Sequence, residues 1–255
     1  MSEITLNAEQ EGSTHSKVYP FYSKQYFQLI WYMVGAELRA ERARTYIGFL
    51  ILKTKIPDYI SFLFIGLVAW RWFHATIMHA SRSILVKKNI LTQVYLPKYI
   101  YPVVIVLSDT VKFLLVFAIT ILFVRARGFD IGASYSVVAF VIFTEFILIL
   151  GISLLVAGIT PFIPDVPSLL EHVLRMLMYL SGVMFAIDRI HLWFASYLAV
   201  NPMVVILNSF RDIMMYNQFP SFNALFTILL LGVLLCVYGI RLIKKYDVEY
   251  PKIAL

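Results

Sequence analysis

Trp70-Arg71-Trp72-Phe73-His74 sets a guanidinium between two indoles, with an imidazole one turn on. The run around it, FLFIGLVAWRWFHATIMHAS from Phe62 to Ser81, is otherwise apolar enough for a lipid bilayer. Trp70 and Trp72 lie too deep in that run for an interfacial aromatic belt. A cation at this depth is expensive, so Arg71 faces a bundle interior or a wet cavity. Two uses stay open. Either the indoles hold the guanidinium by cation–π contact beside a substrate route, or Arg71 snorkels or pairs with an acid on a neighbouring helix. A second polar set follows. Asp109 and Lys112 are three residues apart, on one helix face. Glu145 stands at about the same depth on the returning segment, and an intramembrane glutamate is a functional suspect by default. The spacing predicts that Glu145 pairs with Lys112. Its other use would be a proton relay.

Other chemistry is missing. No G-x-x-x-x-G-K-[ST] loop occurs to cradle nucleotide phosphates, and no HExxH or G-x-S-x-G motif is present. Cys236 is the one cysteine and lies in an apolar run, so no disulfide framework is expected. The histidines, His15, His74, His79, His172 and His191, are scattered, and no metal site is expected. Catalysis by this chain is not expected, and no cofactor is assigned to it. Energy for any work must come from a partner.

The elements that position these residues are helices in a membrane. The 255 residues are 60% hydrophobic and only 15% charged, where a soluble domain is about half apolar and a quarter charged. Five segments are long enough to cross a hydrocarbon core: 59–80, 99–124, 135–160, 168–188 and 222–243. Backbone groups in lipid must be bonded internally, so all five are read as helices of an all-α polytopic protein. A sixth apolar stretch, 192–209, is broken at Asn201-Pro202 and reads as a re-entrant external segment of two short helices. Gly151, Ser153, Ala157 and Gly158 let helices approach closely, and packing within the chain is preferred to a dimer seam. The net charge of +7 needs no nucleic acid, because cations collect in cytoplasmic loops. Arg82, Lys87, Lys88 and Lys98 mark one such loop, and Arg241, Lys244 and Lys245 place the C-terminus on the same side. The loop RARGFD, with Arg125 and Arg127 against Asp130, belongs outside.

The N-terminal third is read in two parts. Residues 1–24 are polar and lack a signal-peptide pattern, so they read as a disordered cytoplasmic tail. Residues 25–52 read as an amphipathic interface helix, with Arg39, Arg42 and Arg44 on it, and the remnant of a first span. Only TYIGFLIL separates the basic stretch from Lys53. Eight helical residues cover about 12 Å, short of a crossing.

The order of features resembles the membrane subunits of ABC-2 type polysaccharide exporters. The matching pieces are the basic helix GAELRAERARTYIGF, then IPDYISFLFIGLVAWRWF, then the loop ending in YLPKYIYP, and last NPMVVILNSFRDIMM before the final span. The resemblance implies an ABC-2 type transmembrane domain over 53–255, in a family pattern of six spans of which the first is missing or shortened here. It also implies a homodimer bound to two ABC ATPase subunits that hold the ATP and magnesium. The cargo would be a lipid-linked polysaccharide, such as O-antigen or capsule. The location would be the bacterial cytoplasmic (inner) membrane, with both termini cytoplasmic. In FIPD, 162–165, Pro164 stands where many relatives have arginine, nearer the capsule-type branch. Arg39, Arg42, Arg44, Arg82, Lys87, Lys88 and Lys98 are then candidates to meet the ATPase. Trp70, Arg71, Trp72, Phe73, His74 and Tyr179 are candidates to border the substrate path, since sugar faces stack on aromatic planes. Asn201, Pro202, Arg211 and Asp212 would form re-entrant helices near the exit. A drug or small-lipid exporter is the alternative within the superfamily. A proton-driven carrier using Glu145, or a membrane enzyme, is the alternative outside it.

Overall fold

A computed structural model describes residues 58–86, 97–184, 201–247 and 250. The expected tail 1–24, the interface segment 25–52 and its arginines Arg39, Arg42 and Arg44 lie outside the described residues, as do Lys87 and Lys88. Among the described residues the regular structure is helical: α1 Tyr59–Ser81, α2 Ser83–Val86, α3 Ile100–Ala126, a 3-10 turn Ala133–Val137 leading into α4 Val138–Ile159, α5 Val166–Leu180, α6 Pro202–Tyr216 and α7 Phe222–Lys245. Four helical stretches, α1, α3, the 3-10 turn with α4, and α7, are long and apolar enough to cross a membrane.

Each boundary has a local cause. Gly128, with φ +94°, ends α3, and its N–H returns to the Arg125 carbonyl. Pro167 sits in the first turn of α5, where a missing N–H costs nothing. Asn201 caps α6 by accepting from the Met203 N–H at 3.0 Å, with Pro202 next in line. Lys244 and Lys245 close α7 at its negative end.

The expected span 168–188 differs. Its helix is α5, 15 residues long, or about 22 Å, short of a core about 30 Å thick. The cause is Ser181-Gly182: Gly182 takes φ +66° and turns the chain away although the composition stays apolar. Of the re-entrant segment, residues 192–200 lie outside the described residues; the part after the break at Asn201-Pro202 is one helix of 15 residues, α6, buried along most of its length.

Side-chain ties sort the helix ends into two groups. At one end Asp58 accepts from Arg127 Nε at 2.9 Å and Nη2 at 2.6 Å, and Ser134 donates to Asn217 Oδ1 at 2.7 Å. At the other end Lys98 bridges Asp247 at 3.5 Å, and the Tyr250 hydroxyl donates to the Gly158 carbonyl at 3.0 Å. Arg82, the C-terminal cations and the turn at Pro97-Lys98 therefore share an end, opposite RARGFD, as the loop charges predict. Helices α4 and α7 run parallel and close. A Cβ on Gly151 would stand 2.7 Å from Leu235 Cβ, and one on Gly239 would stand 2.7 Å from Leu154 Cβ. The small residues of α4 thus serve packing within the chain, where lipid supplies no hydrophobic drive and close contact must do so.

The core is aromatic. The Trp72 indole stacks on Phe113 of α3 at 4.0 Å, Phe113 meets Phe117 at 5.3 Å, and Phe117 meets Phe210 of α6 at 5.4 Å. Such pairs add about 0.5–1.5 kcal/mol each beyond burial, and this ladder fixes α1, α3 and α6 to one another.

Candidate functional site

The α1 patch divides by helix face. Trp70, Trp72 and Phe73 are each only 4% exposed and pack inside the protomer. Arg71 is exposed and His74 half-buried. Arg71 lies twelve residues after Tyr59 and ten before Ser81, or about 18 Å and 15 Å along the axis. It is therefore near mid-helix, on the open side. Glu171 and Arg175 of α5, with Arg71 and His79 of α1, lie near enough to His74 to act on it electrostatically. Arg175 Nη2 donates to Glu171 Oε1 at 2.9 Å, one turn apart. Tyr179 is exposed one turn further along α5.

Asp109 is the hub of the next group. Its buried carboxylate meets His79 Nδ1 of α1 at 2.7 Å and Lys112 Nζ at 2.8 Å, while both partners keep more than half of their side chains exposed. The expected partner of Lys112 is therefore corrected: it is Asp109, three residues back, and not Glu145. The local partner wins because it needs no crossing between helices. Glu145 is fully buried on α4, and among the described residues neither carboxylate oxygen has a hydrogen-bond partner.

Exposed faces differ sharply in polarity. α7 carries no charged residue between Asn223 and Arg241, and Phe226, Leu230, Leu234 and Tyr238 cover its open side. That face suits hydrocarbon. The open side of α1 and α5 carries Arg71, His74, His79, Glu171, His172 and Arg175, joined by Lys112 from α3. Charges at this depth do not face lipid tails.

Arg211 and Asp212 are expected near the exit as part of a re-entrant pair. The structure puts Arg211 in the interior, 2% exposed. Its Nη1 donates to the Gly182 carbonyl at 3.0 Å and its Nη2 to the Val183 carbonyl at 2.8 Å. Its guanidinium lies 3.5 Å over the Phe62 ring. Those carbonyls belong to the turn that ends α5, where helical partners run out. Irregular backbone at membrane depth persists only when its polar groups are satisfied inside protein, and Arg211 does this. Asn201 adds a bond from its amide to Ser181 Oγ at 2.9 Å. Gly66 makes room: a Cβ there would stand 2.5 Å from Arg211 Nη2.

At the other end, Arg82 is exposed. Lys98 is buried and turned toward Asp247, so it braces the chain's own C-terminal segment. Phe162 of FIPD packs on Tyr246 and Tyr250 at 5.0 and 5.5 Å.

Sequence reasoning passes over Glu171 and Arg175 as site residues, and over the tie from His79 to Asp109. The signal for the first two is plain: a charged pair four apart inside a supposed span. His79 gives none, because its partner is on another helix.

A family model described as "ABC-2 type transporter" matches residues 27–215. Two proteins named "O-antigen export system permease protein RfbA", both of Klebsiella pneumoniae, are 22% identical to this chain. One match covers 80% of this chain and 79% of the relative, and the other 91% and 89%. A protein of the same name from Myxococcus xanthus is 23% identical over 83% of this chain and 89% of its own length.

Proposed function

The chain belongs to the ABC-2 type transporter family, and from that premise we propose that it is the membrane subunit of an ATP-driven exporter of lipid-linked polysaccharide. It would act as a homodimer in the bacterial cytoplasmic membrane, with two ATPase subunits that bind ATP and magnesium. The similar permeases are named for O-antigen export, which supports the cargo class.

The observation that carries the reading is the charged open side of α1 and α5. A face with Arg71, His74, Glu171 and Arg175 at mid-helix calls for water or polar cargo, while the apolar face of α7 calls for lipid. One protomer thus supplies one wall of a polar route. Arg71, His74 and Tyr179 line this wall, and Trp70, Trp72 and Phe73 stiffen it from behind. The end with Arg82, Lys98 and the C-terminal cations is cytoplasmic on this reading, because cations collect there. Force from the ATPase would enter through the 82–98 loop and the basic stretch with Arg39, Arg42 and Arg44. Lys98 passes it to α7 through Asp247. Arg211 and Asn201 hold α6 against the turn that ends α5.

The test is reconstitution. The chain with its ATPase in sealed proteoliposomes should move lipid-linked polysaccharide when ATP is supplied, and the chain alone should move none. Transport by the lone chain, or transport that an uncoupler stops while ATP remains, overturns the proposal. The second result would favour a proton-driven carrier using buried Glu145.

A further inference from the structure

Among the described residues four charged side chains are buried, Lys98, Asp109, Glu145 and Arg211. Three are held. Lys98 meets Asp247, Asp109 meets His79 and Lys112, and Arg211 donates to two carbonyls. Glu145 is the exception: neither of its oxygens has a hydrogen-bond partner among the described residues. Its neighbours one turn away on α4, Val141, Leu148 and Ile149, are apolar and as deeply buried. A carboxyl in such a place costs free energy in either protonation state.

Glu145 has company. Trp72 Nε1 and Thr76 Oγ1 on α1 and Ser153 Oγ on α4 are also buried with no hydrogen-bond partner among the described residues. Hydroxyls elsewhere in the bundle avoid this. Thr110 and Thr120 on α3, Thr144 on α4 and Ser209 on α6 each donate to the carbonyl four residues back. The same bond is open to Thr76 and Ser153, and neither makes it. Helices α1 and α4 pack against each other. They run the same way, from the end tied by Asp58 and Ser134 to the end with Arg82 and Tyr250. Glu145 is the thirteenth of the 27 residues from Ala133 to Ile159, and Trp72 the fourteenth of the 23 in α1. Unmet polar groups thus gather on two packed helices from mid-depth inward, and among the described residues α7 adds none.

We propose that the junction of α1 and α4 is a water-admitting seam, closed here with Glu145, Trp72, Thr76 and Ser153 unsatisfied, and open in a second arrangement where water meets those groups. Water donates to the carboxyl and accepts from the indole and the hydroxyls. Opening there satisfies groups that closure leaves bare, so α1 parts from α4 more readily than α7 does, whose seam is glycine against backbone. The seam is separate from the charged open side of α1 and α5 and does not depend on what that side carries.

The full chain in phosphatidylcholine nanodiscs, with no ATPase and no cargo, tests both halves. Glu145→Leu keeps the volume and removes the two bare oxygens, so it should melt about 2 °C or more above wild type. Thr76→Val should also melt above wild type, and Glu145→Gln, which leaves polar atoms in place, should gain less than Glu145→Leu. Opening is read by thiol chemistry. Ser153→Cys puts a thiol of nearly the same shape in the seam, and the native Cys236, half-buried on α7, is the internal control. A membrane-impermeant cationic methanethiosulfonate, which travels only through water, should modify the thiol introduced by Ser153→Cys faster than it modifies Cys236. Glu145→Leu melting at or below wild type means that the carboxyl has a partner and overturns the proposal. Modification of the Ser153→Cys thiol no faster than Cys236 overturns it as well, because the seam then stays dry. If Glu145→Leu elutes as aggregate, Thr76→Val decides the first half, and melting at or below wild type there rejects the seam. No readout uses ATP or cargo, so rejection here leaves the export reading standing.

Discussion

Replacing Gly151 by alanine sets two effects against each other. Alanine is the better helix former, by about 1 kcal/mol. Against this, the new Cβ would stand 2.7 Å from Leu235 Cβ and 2.8 Å from the Gly232 carbonyl oxygen. Both atoms are fixed to the α7 backbone, so relief requires the helices to part. Overpacking of this kind costs about 1–3 kcal/mol, and contacts with immovable atoms belong at the upper end. The net expectation is a loss of about 2 kcal/mol. Gly158 is the control on the same seam. Its Cβ would meet Ile243 Cγ1 at 3.1 Å and Leu242 Cδ2 at 3.3 Å, side-chain atoms that need give way by only a few tenths of an ångström. There the helix-forming gain should win, by up to about 1 kcal/mol. Melting of the detergent-purified chain, followed by size exclusion of a fluorescent fusion, reads both. At about 2–4 °C per kcal/mol for a chain of this size, Gly151→Ala should melt about 4–8 °C lower and Gly158→Ala no lower than wild type. Equal shifts, or Gly151→Ala melting above Gly158→Ala, would refute the claim that backbone contact sets the seam.

Arg211→Met leaves the Gly182 and Val183 carbonyls without their guanidinium donors. At about 1–3 kcal/mol for each buried orphan, the melting temperature should fall by more than in Gly151→Ala, and Arg211→Lys should restore it only in part. Arg127 donates to the Asp58 carboxyl and holds it below its ordinary value of 3.8. The folded state is thus the one that binds the proton less readily, so the pair's contribution is present above the ordinary value and is lost as pH falls through the lower, folded one. Melting curves of wild type and Asp58→Asn should differ at neutral pH and converge in acid below pH 3.8; a constant gap down to that range contradicts the pairing. Tyr250→Phe removes the donor to the Gly158 carbonyl and should cost about 1 kcal/mol, read by the same melt. No loss there would mean that Tyr250 is not tied to α4 as described.

Hydropathy located α1, α3, α4 and α7 because twenty apolar residues in a row have one cheap solution in lipid. Loop charges gave the grouping of helix ends, since that rule depends on counting and not on contact. What failed depends on direction. The apolar run 168–188 reads as a span until Gly182 turns it, and a turn carried by a single residue leaves the average hydropathy almost untouched. Trp70 and Trp72 are separated from Arg71 by one step of about 100° each, enough to put the rings in the core and the cation outside. The Lys112 partner was open to the same reasoning: Asp109 is visible at the right spacing, and the cross-helix alternative asked for a register that sequence does not encode. Arg211 was visible only as part of the re-entrant segment. Its role comes from carbonyls 28 and 29 residues away.

The bundle thus joins its helices in two different ways. Between α4 and α7 the bond is shape: glycine against backbone, with no donor to exchange and nothing that water can replace. Opening that seam forfeits dispersion contacts outright, so the two helices hold together as one body. Among α1, α3, α5 and α6 polar bonds stand beside the aromatic ladder, from Asn201 to Ser181, from Arg211 to Gly182 and Val183, and from His79 to Asp109. Water or the hydroxyls of a polar cargo can take over those donors and acceptors at small net cost, because such an exchange trades one hydrogen bond for another. On the export reading, a route that opens and closes would work where its contents can stand in for the contacts it breaks, and of these bonds His79 to Asp109 lies on the side that carries the charges.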